Sequence, residues 1–181
     1  GKDGFASTSP LKSDLAEKTL EAWVVLPSLD QKGGGVLTVQ KLGGATFDSI
    51  VFSEKQPRRW IAGSEFGIRS KNVDGAEETA SRSRLIHLAI AYHSDGTIRL
   101  FREGLPYGQD YKPQPLQPFP AEKSQILLGR RHTGGGNAFL QGEIEEARIY
   151  PFALSPEQVA ASFHAGILKG HSTDAPVDPT T

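Results

Sequence analysis

The apolar residues of this chain stand in short runs, and this limits the fold more than any other feature. From about residue 19 to residue 150 each run ends at Gly, Pro, Asp or Ser, with spacings near those of β-sandwiches, and helical periodicity is mostly missing. The pattern predicts nine strands and a further one at Phe5–Ser9. The nine are Thr19–Leu26, Gly35–Gln40, Phe47–Ser53, Arg59–Ala62, Phe66–Ser70, Leu85–Tyr92, Thr97–Arg102, Gln125–Arg130 and Phe139–Tyr150.

The strongest local signal is a β-hairpin between Leu85–Tyr92 and Thr97–Arg102. Asp95 and Gly96 lie between them, and this pair accepts the positive φ angles of a tight turn that matches strand twist. One face of the first strand would carry Ile86, Leu88, Ile90 and Tyr92, and the other Ala89 and Ala91. Because both faces are apolar, we expect this strand to be covered on both sides and to lie centrally in its sheet.

One helix is predicted near the C-terminal end. Ser155 has the position of an N-cap, Gln158 completes a capping box with it, and Gly166 is a stop signal. Val159 and Phe163 form a narrow apolar pair, which suits a helix that docks on a sandwich. The predicted fold class is therefore all-β, an antiparallel β-sandwich (jelly roll) with one short C-terminal helix.

The composition excludes several classes of function. The formal net charge is −1, which leaves no basic field for nucleic acid, so we expect no nucleic-acid partner. There is no cysteine, which rules out disulfides, zinc–thiolate sites and thiol nucleophiles. No run approaches the roughly 20 apolar residues of a membrane helix, so we expect no membrane insertion of this segment.

The 181 residues suit one domain with a single core. The end of the chain is polar and contains two prolines, at positions 176 and 179, as linkers often do. We therefore expect one domain over residues 1–168 and a linker or tail over 169–181 that leads toward a following domain. The chain also lacks methionine, which is typical of a segment from a larger protein. As an isolated domain it should be a monomer.

Several segments, in this order, resemble the laminin-G-like jelly-roll family of bacterial proteins, which is concanavalin A-like. The resemblance covers about residues 19 to 165 and is most specific at its closing segment. The segments are Thr19–Val24, Leu85–Tyr92 with Asp95–Phe101, Ile126–Gly129, and Gly142–Tyr150 with Ala153–Val159.

The resemblance implies more about the type of protein than about its ligand. Members of the family bind sugar, calcium or protein, and the fold alone does not choose among these. It implies a module of a large multidomain protein in an extracytoplasmic location (periplasmic, cell-surface or secreted). The expected partner is a glycan or a neighbouring protein domain, and calcium is the one cofactor that the resemblance leaves open.

The first candidate ligand site is Trp60 with Arg58 and Arg59. An indole face flanked by guanidinium groups could stack on a sugar ring and hold hydroxyl or acidic groups. The alternative is that Trp60 belongs to the core of a strand and that the arginines are solvated.

A second candidate lies at Arg131 and His132, beside a glycine-rich loop. These side chains could form a small anion-binding patch, or they could be solvated charges at a strand end. Asp48 is a further candidate ligand-binding carboxylate. For calcium, Asp48 and Asp74 are the candidate ligands, although no spacing in the chain matches a calcium loop.

Glu143 and Glu145 are the candidates for catalysis, because related glycosidases carry two carboxylates on one strand face. The third acid of the glucanase pattern would fall at Ala147 or Arg148, neither of which can transfer the proton. We therefore expect no enzyme but a non-catalytic binding module, with carbohydrate as the expected ligand. A protein-interaction or spacer module is the alternative, and a glycoside hydrolase is a third hypothesis.

Overall fold

Two antiparallel sheets of five strands each stack on one another in the computed structural model, which describes residues 4–80, 84–113, 116–135 and 139–166. The strand order is β1-β9-β3-β4-β5 in one sheet, here called the front sheet, and β10-β2-β6-β7-β8 in the other, the back sheet. The strands are β1 Ala6–Ser7, β2 Lys18–Val25, β3 Gly34–Lys41, β4 Phe47–Phe52, β5 Trp60–Ser64, β6 Ile86–Tyr92, β7 Ile98–Arg102, β8 Leu105–Pro106, β9 Ser124–Leu128 and β10 Glu143–Tyr150. The predicted β-sandwich is confirmed.

The predicted hairpin is formed by β6 and β7. Tyr92 pairs with Ile98 across the turn, and Gly96 has a φ of 88°, which a residue without Cβ adopts freely. The two faces of β6 are covered as the alternation predicts, because each apolar side chain removed from water stabilises the fold. The core between the sheets takes Ile86, Leu88, Ile90 and Tyr92, and a smaller cluster behind the back sheet takes Ala89 and Ala91.

Helix α1, Pro156–Ala165, covers that smaller cluster. Ser155 caps it and forms the predicted capping box with Gln158, and Gly166 ends it. Val159 is fully buried against the back sheet, where the small alanines of β6 leave room for a helix. The helix therefore occupies part of the outer face of the back sheet.

The predicted strand Phe66–Ser70 is wrong. The chain instead forms a 3-10 turn over Glu65–Gly67, in which Phe66 has a φ of 48° and Gly67 a φ of 69°. Two successive residues with positive φ cannot continue a strand. Arg69 then turns inward and is 5% exposed, because its guanidinium binds groups on β4.

No helix within the described residues has the length and hydropathy of a transmembrane span. The proposed domain end at residue 168 and the proposed linker over 169–181 lie outside the described residues.

Candidate ligand-binding site

A segment over residues 130–134, here called the crossing loop, lies across the outer face of the front sheet. The Gln40 amide fixes it with two hydrogen bonds to Thr133, from Nε2 to Oγ1 at 2.7 Å and from the Thr133 N–H to Oε1 at 2.9 Å. The loop approaches this closely because residue 35 is glycine, where a Cβ would stand 2.3 Å from the Cα of Arg131. The crossing loop therefore forms a wall on the sheet.

His132 stacks on Phe47 of β4 at the inner side of this wall. The ring centroids are 4.5 Å apart and the planes differ by 14°. Partial burial lowers the pKa of His132, and the charges of Arg131 and Arg130 lower it further. The imidazole is therefore neutral at neutral pH, and its Nδ1 accepts a hydrogen bond from the Gly134 N–H at 3.2 Å.

A groove of about 350 Å³, here called the front groove, opens beside the crossing loop. It runs between the crossing loop, the turn before β4 and the turn after β5. Phe66 stands in its lining and is 99% exposed. The lining residues are Gly44, Ala45, Phe47, Glu54, Ser64, Glu65, Phe66, Gly67, Arg131, His132 and Gly134.

The turn that carries Phe66 is held rigidly from below. Arg69 binds both oxygens of Glu65, at 2.8 and 2.6 Å, and also donates to Asp48 and to the carbonyl of Phe47, both at 2.9 Å. Burial opposes ionisation of Glu65, but hydrogen bonds from Arg69 and from the Phe47 N–H outweigh it and lower its pKa. Glu65 is thus an ionised anchor for the strained backbone of Phe66.

Asp48 does not lie on a loop, and the interpretation of it as an open ligand-binding carboxylate is wrong. Its side chain points between the sheets and is 1% exposed. It forms ion pairs with Lys18 at 2.8 Å and with Arg69 at 2.9 Å. Alternation along β4 explains this placement, since Phe47 occupies the outer face and the next residue must face inward.

The same contacts exclude Asp48 as a calcium ligand. Calcium takes six to eight oxygen ligands, whereas the surroundings of Asp48 are an ammonium and a guanidinium group. Asp74 is exposed and has a φ of 56°. No group of three or more His, Asp or Glu side chains that could hold a metal ion occurs within residues 4–80, 84–113, 116–135 and 139–166.

Trp60 is a core residue, so the stacking platform predicted there is wrong. The side chain is 1% exposed and packs against Phe52 with ring centroids 4.6 Å apart. Its Nε1 donates to the buried carboxylate of Glu78 at 3.0 Å, and Arg102 binds the same carboxylate. Alternation along β5 places Trp60 on the inner face together with Ala62.

Arg58 and Arg59 point to different places. Arg59 donates to the carbonyl of Gly75 and pairs with Glu77 at 3.7 Å, so it ties down a loop. Arg58 lines a second groove of about 300 Å³, here called the side groove. Its lining residues are Leu29, Asp30, Gln31, Lys32, Ser53, Glu54, Lys55, Pro57 and Arg58.

The two grooves adjoin, because Glu54 lines both. Its carboxylate forms an ion pair with Arg131 of the crossing loop. The structure thus brings Arg58, Arg131 and His132 to one continuous surface, while Trp60 and Asp48 lie beneath it. Sequence reasoning missed Phe66, whose only signal was an isolated aromatic residue followed by glycine.

Glu143 and Glu145 lie on β10, at the edge of the back sheet, and both are exposed. Neither lines the front or the side groove. Their neighbour Glu146 forms an ion pair with Arg148 at 2.6 Å. The two candidate catalytic carboxylates therefore take no part in the lining of either groove.

Comparison with known families agrees with this architecture. The model of the Laminin_G_3 family, described as the concanavalin A-like lectin/glucanases superfamily, matches residues 1–160. No curated protein sequence matches the chain.

Solved structures with a similar fold have low sequence identity. The heptameric SAP-like pentraxin of Limulus polyphemus has a TM-score of 0.57 and 14% identity, over 86% of this chain and 73% of that one. The CBM40 of the Ruminococcus gnavus IT-sialidase, bound to α2,3-sialyllactose, has a TM-score of 0.56 and 12% identity, over 86% and 97%. A Trypanosoma rangeli sialidase has a TM-score of 0.57 and 13% identity, over 81% of this chain but 22% of its own.

Proposed function

The chain belongs to the concanavalin A-like lectin/glucanases superfamily, and from this premise we propose that it is a non-catalytic module that binds a glycan in the front groove. The observation that carries the proposal is Phe66, an aromatic ring that is 99% exposed beside a groove. A soluble domain gains nothing in stability from such a ring, and its backbone conformation costs free energy. Both facts favour a role in binding.

The groove has the size and chemistry that a sugar requires. Its volume of about 350 Å³ lies within the usual range of small-ligand sites. The ring of Phe66 offers an apolar face for the C–H side of a pyranose, and the ring of His132, stacked on Phe47, adds a second aromatic surface in the same groove. These two rings would fix the orientation of the sugar.

The state of the groove carboxylates supports a non-catalytic role. A glycosidase of the common type needs one protonated and one ionised carboxyl group across the bond. Here Glu54 is paired with Arg131, and Glu65 is paired with Arg69 and has a lowered pKa. Glu65 is therefore not suited to donate a proton at neutral pH, and the carboxylate of Glu54 is already engaged by Arg131.

The solved relatives lend support of a general kind. The CBM40 of the Ruminococcus gnavus IT-sialidase is bound to α2,3-sialyllactose, and the match covers 97% of that module. We propose that this chain, too, is a module of a larger protein, with a glycan or a neighbouring domain as partner and an extracytoplasmic location. Fractionation of the source cells would test the location.

Titration of glycans against the 181-residue chain tests the proposal, first on a glycan array and then by calorimetry. Phe66→Ala should weaken binding at least about tenfold through loss of the stacking surface. Phe152→Ala is the matched control, since Phe152 is 45% exposed and lines neither groove. Repeating the titration with calcium and with a chelator tests calcium dependence.

Two results would overturn the proposal. The array could show no bound glycan, which would favour a protein-interaction or spacer module. Alternatively, the control variant could lose as much affinity as Phe66→Ala, which would place the sugar elsewhere.

A further inference from the structure

We infer that the side groove is an anion subsite, so that the preferred ligand is an acidic glycan with a carboxylate or sulfate group beside a neutral ring. The inference rests on the proposed function, because the neutral ring would occupy the front groove. It assigns Lys32, Lys55 and Arg58 to the acidic group.

The charges that line the side groove are unequally paired. The carboxylate of Asp30 is paired with Arg58 at 3.0 Å, and that of Glu54 is paired with Arg131. Within the part of the chain that the structure describes, Lys32 and Lys55 have no carboxylate partner. Two ammonium groups therefore remain for an incoming anion.

Lys55 is held at the groove while keeping donors free. Its Nζ donates to the carbonyl of Ser70 at 2.8 Å, and an ammonium group has three N–H bonds. The chain at Ser70 belongs to the segment fixed by Arg69. This hydrogen bond aims one cation without neutralising it, which reduces the ordering cost of binding.

Arg58 can also bind an anion, although it already has a carboxylate partner. It has a φ of 56°, and its N–H donates to the Ser53 hydroxyl at 3.1 Å, so a strained turn presents it at the groove. Its pair with Asp30 is exposed on both sides, and such pairs contribute little in water. An anion that also contacts the two lysines can displace Asp30.

The position of the side groove explains why the anion should belong to a sugar. Glu54 lines both grooves, so a ligand whose ring lies by Phe66 and His132 can continue past Glu54 to the lysines. Free inorganic anions would meet the same lysines but would have no contact in the front groove. The acidic group therefore adds affinity to a ligand that is already seated.

The test compares neutral oligosaccharides with the same oligosaccharides carrying a carboxylate or a sulfate group, on an array and then by calorimetry with the 181-residue chain. In about 50 mM salt the acidic form should bind at least about tenfold more tightly than its neutral parent, and the ratio should fall as salt rises. The separate carboxylate and sulfate arms show which acid the groove prefers.

The double variant K32Q/K55Q should reduce that ratio to within about twofold. The double variant K12Q/K112Q is the control, because it removes two exposed lysines that line neither groove. Equal binding of acidic and neutral forms would overturn the inference and leave glycan binding intact. An equal loss of the acidic-to-neutral affinity ratio in both double variants would also overturn it, since the ratio would then respond to net charge alone. Absence of all glycan binding would overturn the proposed function itself.

Discussion

The Nε2 atom of His87 lies 2.8 Å from Oε1 of Glu21, and both side chains are completely buried beneath helix α1. The Gly104 N–H donates to Nδ1 of His87, which places the ring proton on Nε2 and directs it at the carboxylate. The other oxygen of Glu21 accepts hydrogen bonds from the hydroxyls of Tyr150 and Ser162, both at 2.9 Å. Since Ser162 belongs to α1, one buried carboxylate joins the helix to the back sheet.

Glu21→Gln should therefore destabilise the domain and loosen the helix. The glutamine NH2 group cannot accept a hydrogen bond, so either the His87 N–H or the two hydroxyl groups would lose their acceptor, and the free energy of unfolding should fall by about 2–3 kcal/mol. Urea denaturation measures the loss, and hydrogen exchange should quicken over 156–165. Glu122→Gln, at a 65% exposed side chain, should change stability by less than about 0.5 kcal/mol. Similar losses in both variants would contradict this role of Glu21.

Asp48→Asn should be among the most damaging single-atom replacements in the chain. It would leave the Lys18 ammonium, which is 0% exposed, without its carboxylate, and removal of one partner from a buried pair costs about 3–5 kcal/mol. Asp110→Asn is the matched control, since Asp110 pairs with Arg99 at the surface and should lose at most about 1 kcal/mol. Chemical denaturation of the two variants side by side is decisive, and equal stabilities would be the contrary result.

Glu78 should make the domain sensitive to acid. Burial raises the pKa of this carboxyl group, but hydrogen bonds from Arg102, the Ala80 N–H and Trp60 outweigh burial and lower it below its usual value of 4.5. At a pH between the pKa of Glu78 in the folded protein and its usual value of 4.5, the unfolded chain binds a proton that the folded chain does not. The stability that Glu78 contributes is therefore present above pH 4.5 and is lost as the pH falls through the pKa of the folded protein.

In Glu78→Gln the free energy of unfolding should be lower at pH 7 by about 3 kcal/mol, and its decline toward pH 3 should be shallower than in the wild type. The adjacent exposed residue provides the control, because Glu77→Gln should keep the wild-type slope. Denaturant midpoints at a series of pH values give both slopes. Parallel slopes for wild type and Glu78→Gln would show that another group governs acid sensitivity.

Phe66→Gly should separate stability from binding. The ring is 99% exposed and its backbone is left-handed, so glycine should leave the melting temperature unchanged or slightly higher while glycan affinity falls. Phe66→Ala keeps the strain and should be less stable than Phe66→Gly by about 1 kcal/mol. A glycine variant clearly less stable than the wild type would indicate that the ring packs on the domain.

The sequence predicts the elements that depend on local signals. The hairpin of β6 and β7 follows from the turn at Asp95–Gly96, and helix α1 follows from its capping box. Both are determined by residues that are close in the chain, and the alternation along β6 predicts which of its side chains share a face.

The candidate site depends on contacts between distant residues, and there the predictions were less successful. Nothing near Arg69 indicates that it turns inward to Asp48, 21 positions earlier, so the sequence predicts a strand where the structure has the turn that presents Phe66. For Trp60 the sequence leaves a surface platform and a core position open, because the partner that decides between them, Glu78, is 18 positions away. Arg131 and His132 stay candidate ligand-binding residues, and what they contact depends on how the crossing loop folds over the sheet.

Gly35 gives a single position control over the shape of the binding surface. A methyl group there would stand where the backbone of Arg131 now lies, so any other residue would push the crossing loop away from the front sheet. The wall beside Phe66 would then move away, and Arg131 would leave Glu54, at the junction of the two grooves. The shape of the proposed binding surface is thus adjustable from β3, a strand whose residues line neither groove, and an opened version of the same surface is one substitution away.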